Sequence, residues 1–321
     1  MNRTNDRILN AAGIRDPVLR LAYERCRRLH ARHGRTYYLA TRLLPPWKRP
    51  YVHALYGFSR YTDELVDNGP EHTRAAHFHA WSRKTLERLG RDSPPFDGPA
   101  PVGPVHGGSP TGDQVILAFR HTMRRWNIPL EYVVAFLNSM EADLSVTKYP
   151  TYEALNRYMY GSAGVIGLQM LPILGPLCDE AHSRARALGE ASQLTNCIRD
   201  VAEDLARGRV YLPTEDLDRF GVTIADLSRS RTIRPVRELL RYEIERNRKL
   251  YAYAVGVIRM LEPSSRPFIE MAYALYAGIL DAVEEARYEV LDRRVAVGLS
   301  TRLRIAGPAY ALARREWGDA L

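Results

Sequence analysis

An all-α fold follows from three features of this chain. Apolar residues recur at three- and four-residue spacing through nine long segments, no stretch alternates apolar and polar residues as a half-buried strand does, and proline or glycine marks the joints between segments. The first two helices are expected over Asp16 to His33 and Lys48 to Asp67, parted by Leu44-Pro45-Pro46. His72 to Leu89 carries the next stripe. Arg91 to Gly112 is crowded with Pro and Gly and nearly lacks large apolar residues, so a surface loop at about 91–112 is expected inside one domain, because helices of similar character flank it. Gln114 to Trp126 and Leu130 to Ser145 follow, and Tyr149-Pro150-Thr151 stops the second of these before Tyr152 to Leu171. Gly175-Pro176 separates that segment from Glu180 to Ala206. Val236 to Leu261 and Arg266 to Leu291 are the last two helices, parted by Pro263-Ser264-Ser265.

The composition bounds the function. At 321 residues the chain suits one large helical domain spanning 1–321, and 45% hydrophobic content is that of a globular protein. No run of about eighteen apolar residues is available to span a bilayer; Val165 to Leu177, the most apolar stretch, is interrupted by Gln169, Pro172, Gly175 and Pro176 and reads as a core helix. Met1 to Asp16 has no apolar region of the secretory kind. The three cysteines, Cys26, Cys178 and Cys197, form no CxxC pair, so neither a disulfide framework nor zinc is expected and a reducing cytoplasm fits. A net charge of +9 comes from arginines spread along the whole length, without a dense basic tract or a nucleic-acid module, which argues against nucleic acid as a partner. A peripheral contact with a lipid surface stays open, since a greasy product must leave toward lipid.

Two acidic segments carry the chemistry: Arg60-Tyr61-Thr62-Asp63-Glu64-Leu65-Val66-Asp67 and Gln193-Leu194-Thr195-Asn196-Cys197-Ile198-Arg199-Asp200-Val201-Ala202-Glu203-Asp204. On helices, Asp63 stacks over Asp67 and Asp200 over Asp204. Carboxylates so placed repel, and either arginines or a divalent cation must compensate them. Magnesium, a hard ion that combines a few carboxylates with substrate phosphates, lets two facing pairs clamp a diphosphate. Asn196, Arg199, Asp200, Glu203 and Asp204 share one stripe continued back to Gln193, flanked by Cys197, Ile198 and Val201, which read as buried. One DxxxD pair alone is better explained by a solvated surface; two pairs, one with aligned Asn and Arg, reverse that preference. Arg60, three residues before Asp63, either grips phosphate or forms a local ion pair. Glu64 and Glu203 lie off the central pairs.

Loss of diphosphate from an allylic carbon leaves a cation that water would quench, so the cavity must be dry and rich in π faces. Of 19 tyrosines, Tyr37, Tyr56, Tyr158, Tyr160, Tyr273 and Tyr276 sit in otherwise apolar helices. For any one of them taken singly, core packing is the better reading. GxGxxG, P-loop, HExxH and GxSxG motifs are absent, and His77 and His79, two apart, read as surface.

Tyr56-Gly57-Phe58-Ser59-Arg60 before the first aspartate pair, together with the whole second segment, resembles the squalene and phytoene synthase family. The resemblance extends through Leu43-Leu44-Pro45-Pro46, Tyr158 to Gly167, Arg207-Gly208-Arg209-Val210-Tyr211-Leu212-Pro213 and Asp292-Arg293-Arg294-Val295, covers roughly residues 20 to 297, and is nearest to bacterial phytoene synthases. It implies a single-domain isoprenoid synthase fold with a central active-site cavity. It further implies head-to-head condensation of two allylic prenyl diphosphates through a cyclopropylcarbinyl diphosphate, with several Mg2+ ions. Asp63, Asp67, Asp200 and Asp204 are then the metal-binding catalytic residues, with Asn196 beside them. Gln193 and Asn196 position diphosphate; Arg35, Arg60 and Arg209 contact phosphate. Tyr37, Tyr56, Tyr158 and Tyr276 line the channel, and Tyr158 helps steer the proton lost in cyclopropane formation.

Three departures bear on the substrate. Asp63-Glu64 stands where the family has two adjacent aspartates, Glu141-Ala142 where phytoene synthases carry Arg and Met, and Tyr61-Thr62 replaces Trp-Ala. The leading expectation is phytoene from two geranylgeranyl diphosphates without a reductant. The alternative is transfer of the prenyl group to a non-isoprenoid aromatic acceptor in secondary metabolism, for which Thr62, Glu141 and Ala142 are the motive.

Overall fold

The computed structural model describes residues 3–68, 70–90 and 110–298, with Gly307 and Tyr310. Among them there is no strand, only two isolated bridge pairs, Lys148 with Val210 and Pro176 with Leu261. The helices are α1 (Arg3–Ala11), α2 (Pro17–His33), α3 (Arg35–Thr41), α4 (Arg49–Asp67), α5 (Glu71–Leu89), α6 (Gly112–Trp126), α7 (Leu130–Ala142), α8 (Tyr152–Met159), α9 (Val165–Leu174), α10 (Glu180–Arg199), α11 (Val201–Ala206), α12 (Thr214–Arg219), α13 (Ile224–Leu227), α14 (Arg234–Ala254) and α15 (Arg266–Glu285). A π turn, Tyr160–Gly164, joins α8 to α9, and 3-10 turns occupy Val255–Met260 and Pro263–Ser265. Each expected proline break falls between elements. Of the expected loop at 91–112, residues 91–109 lie outside the described residues; Pro110 is buried and Thr111 caps α6 through a capping box with Gln114. The short helices α1, α3, α12 and α13 escaped the periodicity reading because each is too brief to display a stripe.

The chain packs in two apolar groups that share α10. One gathers α2, α4, α6, α7 and α9 around Val52, Leu55, Phe58, Phe119, Phe136 and Leu171, with the Phe58 and Phe119 rings stacked at 4.1 Å. The other gathers α8, α10, α14 and α15 around Leu155, Leu194, Ile198, Leu240, Ile244 and Leu280. Leu188 on α10 touches both. Close approach of α10 to the π turn and α9 depends on glycine. A methyl on Gly189 would meet the Ala163 carbonyl oxygen at 2.2 Å, and one on Gly167 the Ala185 carbonyl oxygen at 2.3 Å. The stretch 165–174 is a buried core helix, as its composition implied. No helix among the described residues is long and apolar enough to cross a membrane, and all three cysteines are free thiols.

Candidate active site

Two carboxylate pairs, on α4 and at the joint of α10 with α11, are linked through Arg209, which bonds Asp67 and acts electrostatically on Asp204. On α4, Arg60 Nη1 donates to Asp63 Oδ2 at 3.0 Å while its Nη2 bonds Glu64. Glu64 thus completes a local fork on the same arginine. Asp67, one turn on, accepts Arg209 Nη1 at 3.0 Å, with Arg207 at 3.7 Å. Arginines therefore compensate the first pair.

The second pair corrects one expectation. The helix expected over Glu180 to Ala206 is interrupted at Asp200, which has φ −101° and ψ 19°. Neither proline nor glycine causes this. Adjacent residues on a regular helix diverge by about 100° and do not face each other, yet Arg199 Nε reaches Asp200 Oδ1 at 2.7 Å; leaving the helical conformation at Asp200 accommodates that contact. The backbone ladder survives the distortion, with Asp200 N bonding Asn196 O at 2.8 Å and Asp204 N bonding Asp200 O at 2.9 Å. Arg294, from after α15, adds a bond to Asp200 at 3.1 Å and approaches Glu203 at 3.7 Å.

Protein surrounds Asp63 and Asp204 closely enough to alter their ionisation. Burial, reinforced by the like charge of Asp67 and opposed by Arg60, pushes the Asp63 carboxyl up to about 7. Part of its side chain still reaches solvent, 43% by area. Burial and Asp200 likewise push Asp204 up to about 7, against Arg207 and Arg209. Arg209, buried between the motifs, bonds Asp67 and acts electrostatically on Asp143 and Asp204.

Beside these acids lies a cavity of about 660 Å³, a size usual for ligand sites. Its polar lining includes Arg35, Gln193, Asn196, Arg199 and Arg294, and its apolar lining Leu55, Ile166, Met170, Leu171, Leu174, Val257, Leu261 and Ile269. Tyr37, Tyr56 and Tyr276 line it, their phenols held neutral chiefly by burial. The four aspartates are not in its lining, but the Arg199 and Arg294 guanidinium groups that hold Asp200 are.

Tyr158 is placed elsewhere. Its hydroxyl donates to Asp143 Oδ2 at 2.8 Å, as the Tyr211 hydroxyl does to Asp143 Oδ1 at 2.9 Å, in a buried group stacked with Tyr149. Burial raises Asp143 to about 6, opposed first by Arg209. Tyr160 and Tyr273 also stand outside the cavity lining: the first lies under Arg186 at 4.6 Å and the second sets its edge on Tyr251. His77 and His79 are exposed.

The residues that motivated an aromatic acceptor do not line the cavity either. Thr62 is fully buried and accepts Trp81 Nε1 at 2.9 Å, Glu141 is an exposed partner of His79 at 3.0 Å, and Ala142 lies in a groove near Tyr158. Asp143 and Arg294 are the functional candidates that motif reading passed over. Asp143, which follows α7 two residues after Glu141, gives no local sign of its burial, whereas the arginine pair Arg293-Arg294 was a visible signal for the second.

Among the described residues no three His, Cys, Asp or Glu side chains stand together as a ready cation cage. The donor set still suits magnesium, which takes one or two carboxylates per ion and completes its octahedron with water and phosphate oxygens.

The family model for squalene/phytoene synthase matches residues 30–301. A phytoene synthase from Arthrospira platensis is 35% identical over 298 residues, 88% of this chain and 91% of that protein, and a 15-cis-phytoene synthase from Synechocystis is 35% identical over 88% of this chain and 82% of its own. The structure of a squalene synthase from Alicyclobacillus acidocaldarius superposes with a TM-score of 0.70 at 26% identity, covering 87% of this chain and 98% of that one. A dehydrosqualene synthase at 24% identity superposes with a TM-score of 0.80 over 92% of this chain and 98% of its own, and shares the fold.

Proposed function

This chain belongs to the squalene/phytoene synthase family and is a prenyltransferase with the all-α isoprenoid synthase fold; from that premise we propose that it joins two geranylgeranyl diphosphates head to head to give phytoene, using magnesium and no reductant. The observation that carries the reading is a cavity whose lining joins charged and amide side chains, Arg35, Gln193, Asn196, Arg199 and Arg294 among them, to a large set of aliphatic and aromatic ones. Such a lining matches an anionic head on a long hydrocarbon. Similarity to the phytoene synthases of Arthrospira and Synechocystis supports the choice of product.

In this reading Asp63, Asp67, Asp200 and Asp204, with Asn196, hold the metal. Magnesium, when bound, neutralises diphosphate oxygens and makes the group easier to expel. Gln193 and Asn196 orient the diphosphate in the cavity. Arg35, Arg60 and Arg209 take phosphate oxygens, and Arg60 and Arg209 must first release the carboxylates they hold. Tyr37, Tyr56 and Tyr276 present ring faces to the allylic cation while the aliphatic wall keeps water out. Tyr158 acts through Asp143, which it helps to orient beside Arg209. The chain works as one prenyltransferase domain, with no observation favouring an aromatic acceptor.

Product analysis by mass spectrometry after incubation with magnesium and geranylgeranyl diphosphate is the test. A C40 hydrocarbon made without reductant is expected. A product only from a shorter diphosphate, or only after an aromatic acceptor is added, defeats the phytoene reading.

A further inference from the structure

Beside the start of α4 lies a second pocket, of about 180 Å³, whose wall includes Asn5, Arg27, Tyr38, Arg42, Arg49 and His53. It shares no lining residue with the catalytic cavity. Its charges are unequal in how they are met. Arg27 is matched by Glu24, with Nε to Oε2 at 2.8 Å and Nη2 to Oε1 at 2.9 Å, and its Nη1 donates to the Tyr38 hydroxyl at 2.8 Å. That hydroxyl keeps its own proton to give. Arg49 is only 3% exposed; its Nε bonds the Leu44 carbonyl at 2.8 Å, and its Nη2 is buried with no hydrogen-bond partner among the described residues. Arg42 is exposed, and among the described residues neither it nor Arg49 has a carboxylate partner.

A buried guanidinium nitrogen without an acceptor costs stability unless something completes it. Burial and the neighbouring Arg42 charge push Arg49 down to about 10, which still leaves it charged at neutral pH. His53 adds no charge, since burial holds its imidazole well below the usual histidine range, and its Nδ1 is engaged with His30 Nδ1 at 3.0 Å. The pocket therefore offers two unmatched positive charges and a phenol proton, a donor set that fits a tetrahedral dianion.

We propose that this pocket is an anion site, separate from the catalytic cavity, that binds a phosphate group through Arg42, Arg49 and Tyr38. Free phosphate and a phospholipid headgroup share this chemistry, and the test separates them.

The experiment measures the thermal unfolding midpoint of the full chain as inorganic phosphate is titrated at constant ionic strength, for wild type and for R35Q, R42Q and R49Q. Arg35 belongs to the catalytic cavity and reports binding there. Wild type and R35Q are expected to gain stability with phosphate, while the half-saturating concentration in R42Q rises on the order of tenfold, the worth of one charge-assisted hydrogen bond. R42Q should retain its basal prenyl transfer, and because Arg42 is exposed its folding is secure even where R49Q fails to fold. Flotation with phosphatidylglycerol against phosphatidylcholine vesicles is the second arm. If free phosphate has no effect but R42Q weakens binding to phosphatidylglycerol alone, the phosphate is a lipid headgroup. A stabilisation lost in R35Q but kept in R42Q places the anion in the catalytic cavity and overturns the proposal; so does no response in either arm. None of these outcomes touches the phytoene reading, because product analysis decides that separately.

Discussion

Two clusters in this molecule are built from the same parts, buried acids against arginine, and differ in whether the partners can be exchanged. At the cavity, Asp67 is held by Arg209 and Arg207, and Asp200 by Arg199 and Arg294, with Arg207 and Arg294 about half exposed at 47% and 53%. On α12 and α14, Arg246 reaches both Asp216, at 2.8 Å, and Glu243, at 2.9 Å, under the rings of Tyr152 and Tyr242. There the acids are 5% and 0% exposed, so no ligand has access. Acid–arginine pairing is thus no mark of function by itself. What sets the first cluster apart is the cavity beside it; in the proposed reading an anionic ligand there takes the arginines and frees the carboxylates for a cation.

The sharpest way to break this comparison is to neutralise one acid in each motif. Asp63→Asn with Asp200→Asn should lower kcat at least on the order of 10³-fold, the several kcal/mol a metal clamp supplies, with little loss of folding stability; steady-state product formation and urea unfolding check the two halves. The closed cluster should answer in the opposite sense. Arg246→Met strands two buried acids and should destabilise the fold by about 3–5 kcal/mol, while the enzyme that remains folded keeps its kcat, read by denaturant unfolding beside activity per folded molecule. A smaller effect comes from pH. One guanidinium cannot neutralise two carboxylates, and burial pushes Glu243 up to about 8 despite Arg246. Its folded value lies above its unfolded one, so between about 4.5 and 8 the folded state holds a proton that the unfolded state has lost, and stability falls as pH rises through that window. Glu243→Gln removes this dependence; unfolding free energies at pH 5 and pH 8 should show wild type losing ground to the variant, and parallel values would refute the assignment.

The long helices, their proline-marked joints and both aspartate pairs were legible because each is a local pattern. The buried flank of Cys197, Ile198 and Val201 was legible for the same reason. What local pattern does not contain is long-range pairing. Arg209 meets Asp67 across 142 residues and Arg294 meets Asp200 across 94. Nothing near Asp200 announces that the helix breaks there, where Asp200 pairs with its own neighbour Arg199. Tyr158 shows the limit of reading aromatic residues from an apolar stripe: membership of the stripe says the ring is buried, while the direction it faces is decided by Asp143 from another helix.

The π turn at Tyr160–Gly164 has a consequence for how this gene can change. One additional residue is wound into that turn, so α8 and α9 are out of phase with a common helical repeat. Loss of a single codon there would restore regular winding and leave the faces of α8 and α9 in place, because the turn absorbs its additional residue; rewinding the turn as regular helix with every residue kept would instead rotate one side by roughly 100° relative to the other. Ser162 and Ala163 would swing out of the cavity wall, and the close seat of Gly167 on Ala185 would be lost. Most point substitutions in this stretch trade one side chain for another, whereas any change that abolished the widened turn would re-index two helices at once.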